Sequence, residues 1–192
     1  MLNKKEFADI RKELNSIEEK RENVIQLSRE IIGLSKQIIY SVQRNDMQNA
    51  SSLMAKIRKE VGNLKKANAN NVQLDTNINS VAYQEYVEAA CFYDFKKVGK
   101  VPGKSTLGVS TEDYLMGLCD LTGELVRKAV QDVIHKNFDE AHKIKDLVNE
   151  IYGEFLKFNL RNGELRKKSD SIKWNLKKLE EVVYDVEMRK GH

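Results

Sequence analysis

STEDYLMGLCDLTGELVRKAVQDV, residues 110–133, sets the class of fold. Ser110 and Asp113 stand in the spacing of a capping box, in which each side chain takes up an otherwise orphan backbone N–H at a helix start. Leu115, Leu118, Leu121, Leu125, Val126, Ala129 and Val133 then recur at spacings of three and four, the period of a buried helix. On the remaining face Asp113, Asp120, Glu124 and Arg127 fall in line, with Gly117 and Gly123 beside them. Residues four apart on a helix are neighbours, roughly 5–6 Å apart at Cβ, so Asp120 and Glu124 can address one object. Each glycine inside a helix costs about 1 kcal/mol relative to alanine, so something is expected to approach this backbone closely.

Outward from that helix, the 192-residue chain is long enough for one domain, 1–192, with a sizeable core. Charged residues make up 32% and hydrophobic ones 41%, a balance that suits helices with heavily charged outer faces. A single proline, Pro102, leaves long helices free to run on either side of it. The net charge of +4 is too small to name a partner, and its distribution says more. No apolar run reaches the roughly 20 residues of a membrane span, and MLNKKEFADIRKE does not read as a signal peptide, so no membrane is expected. Cys91 and Cys119 lack CxxC or histidine-spaced partners, which predicts two buried, reduced thiols and a cytoplasmic location.

A first helix is expected from Asn3 to about Arg44, with Phe7, Ile10, Leu14, Ile17, Val24, Leu27, Ile31, Leu34, Ile38 and Val42 as its apolar stripe. Asn45-Asp46 reads as a turn and N-cap, and a second helix runs to about Asn70. The polar run around 67–77 holds the next break, before a third helix from about Asp75 to Lys97. Gly99 to Gly108 is the one clear loop. Asn137 to Glu140 repeats a capping pattern and opens a helix from Phe138 to about Phe158; Asn162-Gly163 ends it, and a last helix spans about Glu164 to Met188. No strand pattern survives, so the expected fold is all-α, a single-domain bundle of six to seven long antiparallel helices.

The third helix carries two carboxylates, Glu85 and Glu88, on a stripe with Val81, Ala89 and Phe92, while its opposite stripe of Tyr83, Val87, Ala90 and Tyr93 is also mostly apolar. Acids on a helix covered from both sides must be paired, protonated or bound to a cation. Two arrangements satisfy them. One is a set of internal ion pairs with Arg or Lys. In the other, Glu85 and Glu88 meet Asp120 and Glu124 across a helix pair and hold a metal ion. An all-oxygen quartet suits hard cations such as Mg²⁺, Mn²⁺ or Ca²⁺, and such a centre can activate water against a phosphodiester. The apolar excess at Tyr83, Tyr86, Val87 and Tyr93 also predicts that part of this helix lies between subunits.

Alternative chemistries find no support in the residues. Asp132 and His135 only approximate one half of a di-iron motif, on a face expected to be solvated. His135, His142 and His192 show no triad pattern, and there is no phosphate loop or zinc spacing. Basic residues cluster on the second helix (Lys56, Arg58, Lys59, Lys65, Lys66) and over 165–178 (Arg166, Lys167, Lys168, Lys173, Lys177, Lys178). Such runs are either wet helix faces or, beside a phosphodiester-cleaving centre, surfaces that track a nucleic-acid backbone.

DYLMGLCDLTGELVRKAV and QEYVEAACFYDF resemble the signature and acidic helices of the translin family, in particular its translin-associated factor X branch. LRKKSDSIKWNLKKLEEVVYDVEMRKG is similar to translin's own C-terminal helix, and LSREIIGLSKQIIYSVQRND to the family's first helix. The likeness covers nearly the whole chain, which looks like a compact prokaryotic relative. It implies an all-helical subunit of a hollow homo-oligomer, commonly an octamer, that holds single-stranded RNA, or single-stranded DNA, inside. For the factor X branch it implies an endoribonuclease dependent on Mg²⁺ or Mn²⁺. By matching motif positions it makes Glu85, Glu88, Asp120 and Glu124 the catalytic and metal-holding residues. Arg21 and the basic run Arg166, Lys167 and Lys168 match positions where translin is basic, and together with Lys56, Arg58 and Lys59 they become the expected nucleic-acid contacts.

Overall fold

Helix-forming sequence with almost no breakers yields long helices joined by turns. The computed structural model describes residues 2–69 and 77–190. Among them, α1 spans Lys4–Gln43, α2 Met47–Ala69, α3 Asn77–Val98, α4 Lys104–Leu107, α5 Thr111–Ile134, α6 Phe138–Phe155 and α7 Glu164–Lys190. The expected all-α bundle is therefore observed. The expected break near 67–77, and the third helix's expected start at Asp75, fall largely on residues 70–76, outside the described residues. Three details differ from expectation. The stretch from Gly99 to Gly108 is not a plain loop, since Lys104–Leu107 forms one helical turn closed by Gly108 in the left-handed conformation. α6 ends at Phe155 rather than Phe158, and α7 continues past Met188 to Lys190.

The tight turns follow from their residues. Asn45 adopts φ 60°, a left-handed conformation that asparagine tolerates, and Asp46 Oδ1 accepts the Asn49 N–H at 3.1 Å to start α2. The capping box before α5 is half formed. Ser110 Oγ accepts the Asp113 N–H at 3.0 Å, but the Asp113 carboxylate does not reach back to the backbone. It accepts hydrogen bonds from Ser110 Oγ at 2.7 Å and from Ser80 Oγ of α3 at 2.5 Å. Asp113 is thus a buried tie between α3 and α5. Before α6, Asn137 makes no side-chain cap hydrogen bond.

α1 packs on α2 and α3, α3 on α5, and α5 on α6 and α7, which also touch each other. α3 sits in the middle and is covered from both sides. Tyr86, Val87 and Tyr93 are buried within the chain, and Tyr83 is half-buried. The expectation that this surface lies between subunits is therefore overturned for Tyr86, Val87 and Tyr93, because α2 meets the two tyrosines through Arg58 and Ser51 and α5 meets Val87 at Gly117. On α3 the exposed apolar residues are Val81 and Val98, and others stand on α1. Phe7, Ile10 and Leu14 are exposed, and Val24 is the first buried residue of α1. At 40 residues, α1 outruns its neighbours α2 (23 residues) and α3 (22 residues), so its first turns have no helix of this chain to lie on. Cys91 and Cys119 are free and buried, as expected, and burial pushes the Cys119 thiol up to about 12.

A buried ion pair escapes the sequence reading. Lys128 and Asp132, 1% and 3% exposed at their side chains, pair at 2.9 Å, and Lys128 Nζ also donates to Asn45 Oδ1 at 2.9 Å. Asp132 is therefore not on a solvated face. It pairs within α5 with Lys128, which ties α5 to the α1–α2 turn, and is not one half of a metal motif.

The two glycines of α5 differ in what surrounds them. A Cβ on Gly117 would stand 2.7 Å from the Gln84 carbonyl oxygen and 2.7 Å from Val87 Cβ, whereas one on Gly123 would meet nothing nearer than Asn175 Nδ2 at 4.0 Å. The close approach expected from the glycines is real at Gly117, where the visitor is α3 itself, and absent at Gly123. Gly117→Ala should accordingly cost about 1–3 kcal/mol through forced separation of α3 and α5, while Gly123→Ala should be neutral or gain roughly 0.5–1 kcal/mol from helix propensity. Urea denaturation of the two variants checks this, and equal effects would show that Gly117 does not set the helix spacing.

Candidate functional site

The contact at Gly117 aligns the acids. Gly117, Asp120 and Glu124 lie three and seven residues apart on one face of α5; Gln84 and Glu88 lie four apart on α3, with Glu85 beside them. Where α3 presses onto Gly117, the two acidic faces come alongside each other. Their mutual influence is read in Glu88, which is 8% exposed. Burial first, then the charges of Asp120, Glu85 and Glu124, push its carboxyl up to about 8, against a smaller opposing effect of Lys168. Glu85 is half-buried and also raised, chiefly by burial, with Lys36 opposing and Asp120 adding to the shift.

The four acids are not equally partnered. Among the described residues, neither Glu85 nor Glu88 has a hydrogen bond or salt bridge from its side chain. Asp120 Oδ2 is held at 2.5 Å by Lys168 Nζ from α7, which also reaches Gln84 Oε1 at 3.4 Å. Glu124 Oε2 accepts from Gln43 Nε2 at 2.8 Å and lies 3.7 Å from Arg127. Gln43, at the end of α1 and 3% exposed, gives the same nitrogen to the Glu124 backbone carbonyl at 2.9 Å, while its own Oε1 has no partner. Internal ion pairing thus accounts for Asp120 and not for the two glutamates of α3.

Whether a cation fits can be judged from the donors. Four carboxylates, one of them buried and unpartnered, are the right kind for a hard divalent ion. Their spacing is looser: among the described residues no three His, Cys, Asp or Glu side chains are gathered closely enough to hold a metal ion. The set fits in kind, with Lys168 standing on one of its oxygens.

Of the expected nucleic-acid contacts, Lys168 is the one seen to reach the carboxylates. Arg166 lies 3.5 Å from Asp170 and Lys167 2.9 Å from Glu164, both on the open side of α7. Arg21 lies 3.9 Å from Glu18, and Lys56, Arg58 and Lys59 are exposed on α2, with Arg58 beside the Tyr86 hydroxyl. Exposed pairs of this sort contribute little, about 0–1 kcal/mol, so their cations remain available to phosphate. Sequence reasoning missed Gln43 altogether. It placed Lys168 with its exposed neighbours, although Lys168, Ile172, Leu176 and Leu179 follow one helical stripe whose other members are buried.

A family model described as the translin family matches residues 19–190. The chain belongs to the translin family. Chicken (Gallus gallus) translin is 42% identical over 78 residues, 41% of this chain and 34% of that protein, so this match spans about a third of the relative's length. The translin-associated protein X homolog of Schizosaccharomyces pombe is 26% identical over 218 residues, covering 97% of this chain and 89% of its own. Among solved structures, apo-NeC3PO superposes with a TM-score of 0.88 at 29% identity, over 96% of this chain and 97% of that one. The AfC3PO–duplex RNA complex shares the fold with a TM-score of 0.88 at 22% identity, over the same shares of the two chains. No helix among the described residues of this translin-family chain is long and apolar enough to cross a membrane.

A buried acid that keeps its proton has a signature in stability. An unfolded glutamate titrates near 4.3, whereas Glu88 in the folded chain holds its proton up to about 8. Between those values the folded state binds the extra proton, so folding stability is greatest at the acid end and declines as pH rises toward about 8. In urea melts with chelator present, the wild type should lose up to about tenfold in its folding constant per pH unit across that window. Glu88→Gln should flatten the dependence, and parallel curves for the two proteins would show that Glu88 titrates normally.

Proposed function

We propose that this chain is the subunit of a homo-oligomeric, Mg²⁺- or Mn²⁺-dependent endoribonuclease acting on single-stranded or unpaired RNA. The observation that carries the proposal is Glu88, buried and unpartnered among the described residues, beside Glu85 on α3 and near Asp120 and Glu124 across the α3–α5 contact. A bundle held only by apolar packing gains nothing from such a group. The relatives add to it. The alignment with the protein X homolog spans nearly the whole chain, and a neighbour of the same fold is described in complex with duplex RNA.

Glu85, Glu88, Asp120 and Glu124 would hold the cation. When bound, such a cation supplies a Lewis acid beside a phosphodiester and draws water toward ionisation. The chain's own groups do the rest. Gln43 fixes one oxygen of Glu124, so the other is left to face the cluster. Burial around Glu88 keeps bulk water from screening the charges. Exposed cations on α7 and α2, Arg166 and Lys167 with Lys56, Arg58 and Lys59, together with Arg21 on α1, would take the phosphates on either side, with little preference for base. The exposed apolar stripe Phe7, Ile10 and Leu14 supports self-association, octameric by resemblance to the family.

A second function has one observation in its favour. The Lys168–Asp120 pair neutralises one acid without any metal, as suits a scaffold that binds single-stranded RNA or DNA and does not cut it. Labelled single-stranded RNA incubated with purified protein, in Mn²⁺ and in chelator, separates the two. The enzyme cleaves in Mn²⁺ only, and Glu88→Ala or Asp120→Ala reduces cleavage to background with RNA binding retained. Arg166→Gln combined with Lys167→Gln should weaken binding for all sequences and lessen its salt dependence. Binding without cleavage under any divalent cation would decide for the scaffold.

Light scattering at micromolar concentration should show a particle several times the 22.1 kDa chain mass. A monomer there would remove the oligomeric part of the proposal.

A further inference from the structure

Lys168 is set apart from the basic run in which it stands. Arg166, Lys167, Lys173, Lys177 and Lys178 are exposed, while the Lys168 side chain, 33% exposed, runs inward to Asp120 Oδ2 and Gln84 Oε1. It therefore touches both helices that carry the acids, from a third helix. Its ammonium lies 2.5 Å from Asp120 Oδ2. At that distance the ammonium competes with a divalent cation for the oxygen, because the two positive charges repel and the ammonium takes up part of the carboxylate's negative charge. With the ammonium there, no three carboxylates close on a common point. Lysine suits such a post: it is a compact charge on a flexible stem that can withdraw without unfolding its helix. Its tether also gives it an effective concentration on the order of millimolar, high enough to compete with cellular divalent ions.

We propose that Lys168 is the resident counter-ion of the four-carboxylate site, and that a divalent cation binds by displacing its ammonium from Asp120. The proposal rests on the metal site put forward above and adds a consequence for it. Loading the cation breaks the tie at Asp120 between the start of α7 and the middle of α5, so the segment bearing Arg166 and Lys167 is released as the site is armed. Conversely, whatever pulls Lys168 toward a phosphate opens Asp120 to the cation, since linkage between two binding events is reciprocal.

Mn²⁺ titration followed by electron paramagnetic resonance, on the purified protein without RNA, tests this independently of cleavage. Lys168→Gln, which keeps a polar group and drops the charge, should bind Mn²⁺ about 5-fold or more tightly than the wild type. Lys173→Gln removes an exposed charge from the same helix and serves as the control for general electrostatics; it should change Mn²⁺ affinity less than about twofold, as expected of a solvent-screened charge. Lys168→Arg retains the ion pair and the fold, and should bind Mn²⁺ no more tightly than the wild type. Thermal melts in chelator confirm that each variant is folded. Wild-type binding with Lys168→Gln no tighter than Lys173→Gln overturns the displacement and leaves the metal site standing. Absence of Mn²⁺ binding in the wild type and in every variant overturns both.

Discussion

The rest of the site depends on one van der Waals contact, that of α3 on Gly117. A helix pair normally keeps its axes apart by the side chains between them. Here one side chain is missing, and the Gln84 carbonyl and Val87 fill the place where it would be. The closeness brings Glu85 and Glu88 alongside Asp120 and Glu124, and it excludes from Glu88 the water that would otherwise screen it. The raised pKa of Glu88 follows from that geometry, since desolvation and three neighbouring charges act in the same direction. Around this contact the bundle adds restraints from outside: Asp113 tied to Ser80, Gln43 to Glu124 and Lys168 to Asp120.

Much of this was legible in the order of residues. Helical period located the helices because proline and glycine interrupt them so rarely, and the four acids stood out because each lies beside an apolar stripe that has to be buried. What periodicity could not supply was the identity of neighbours. The apolar faces of α3 pointed to a partner on each side, and both partners are helices of the same chain. That is why Tyr86 and Tyr93 are core residues and do not lie between subunits. Gly117 and Gly123 look alike in sequence, yet only one faces another backbone, a difference set by how α3 crosses α5.

The pairs that define the site join residues far apart in the chain, and local pattern does not register such pairs. Gln43 and Glu124 are 81 positions apart, and Lys168 and Asp120 are 48 apart. Glutamine at a helix end has no particular meaning until its partner is known. Lys168 did leave a trace, because it continues the stripe of Ile172, Leu176 and Leu179. Reading the whole 165–178 run as one basic surface concealed that trace. A charged residue on a buried stripe is informative for the same reason as an acid on one: it needs a partner.

The long first helix has a consequence of another kind. A lone helical segment of some twenty residues is marginal in water, because nucleation and backbone ordering are offset mainly by tertiary packing. Among the described residues, the turns of α1 before Ile17 meet no other helix of their own chain, and they carry Phe7, Ile10 and Leu14 into solvent. In the proposed oligomer, order in that segment is a collective property, supplied by neighbouring subunits and governed by mass action. The protein's thermal resistance then ceases to be an attribute of the polypeptide alone. It becomes a function of how much of it is present, so dilution acts on the first turns of α1 as a denaturant while the α3–α5 centre stays folded.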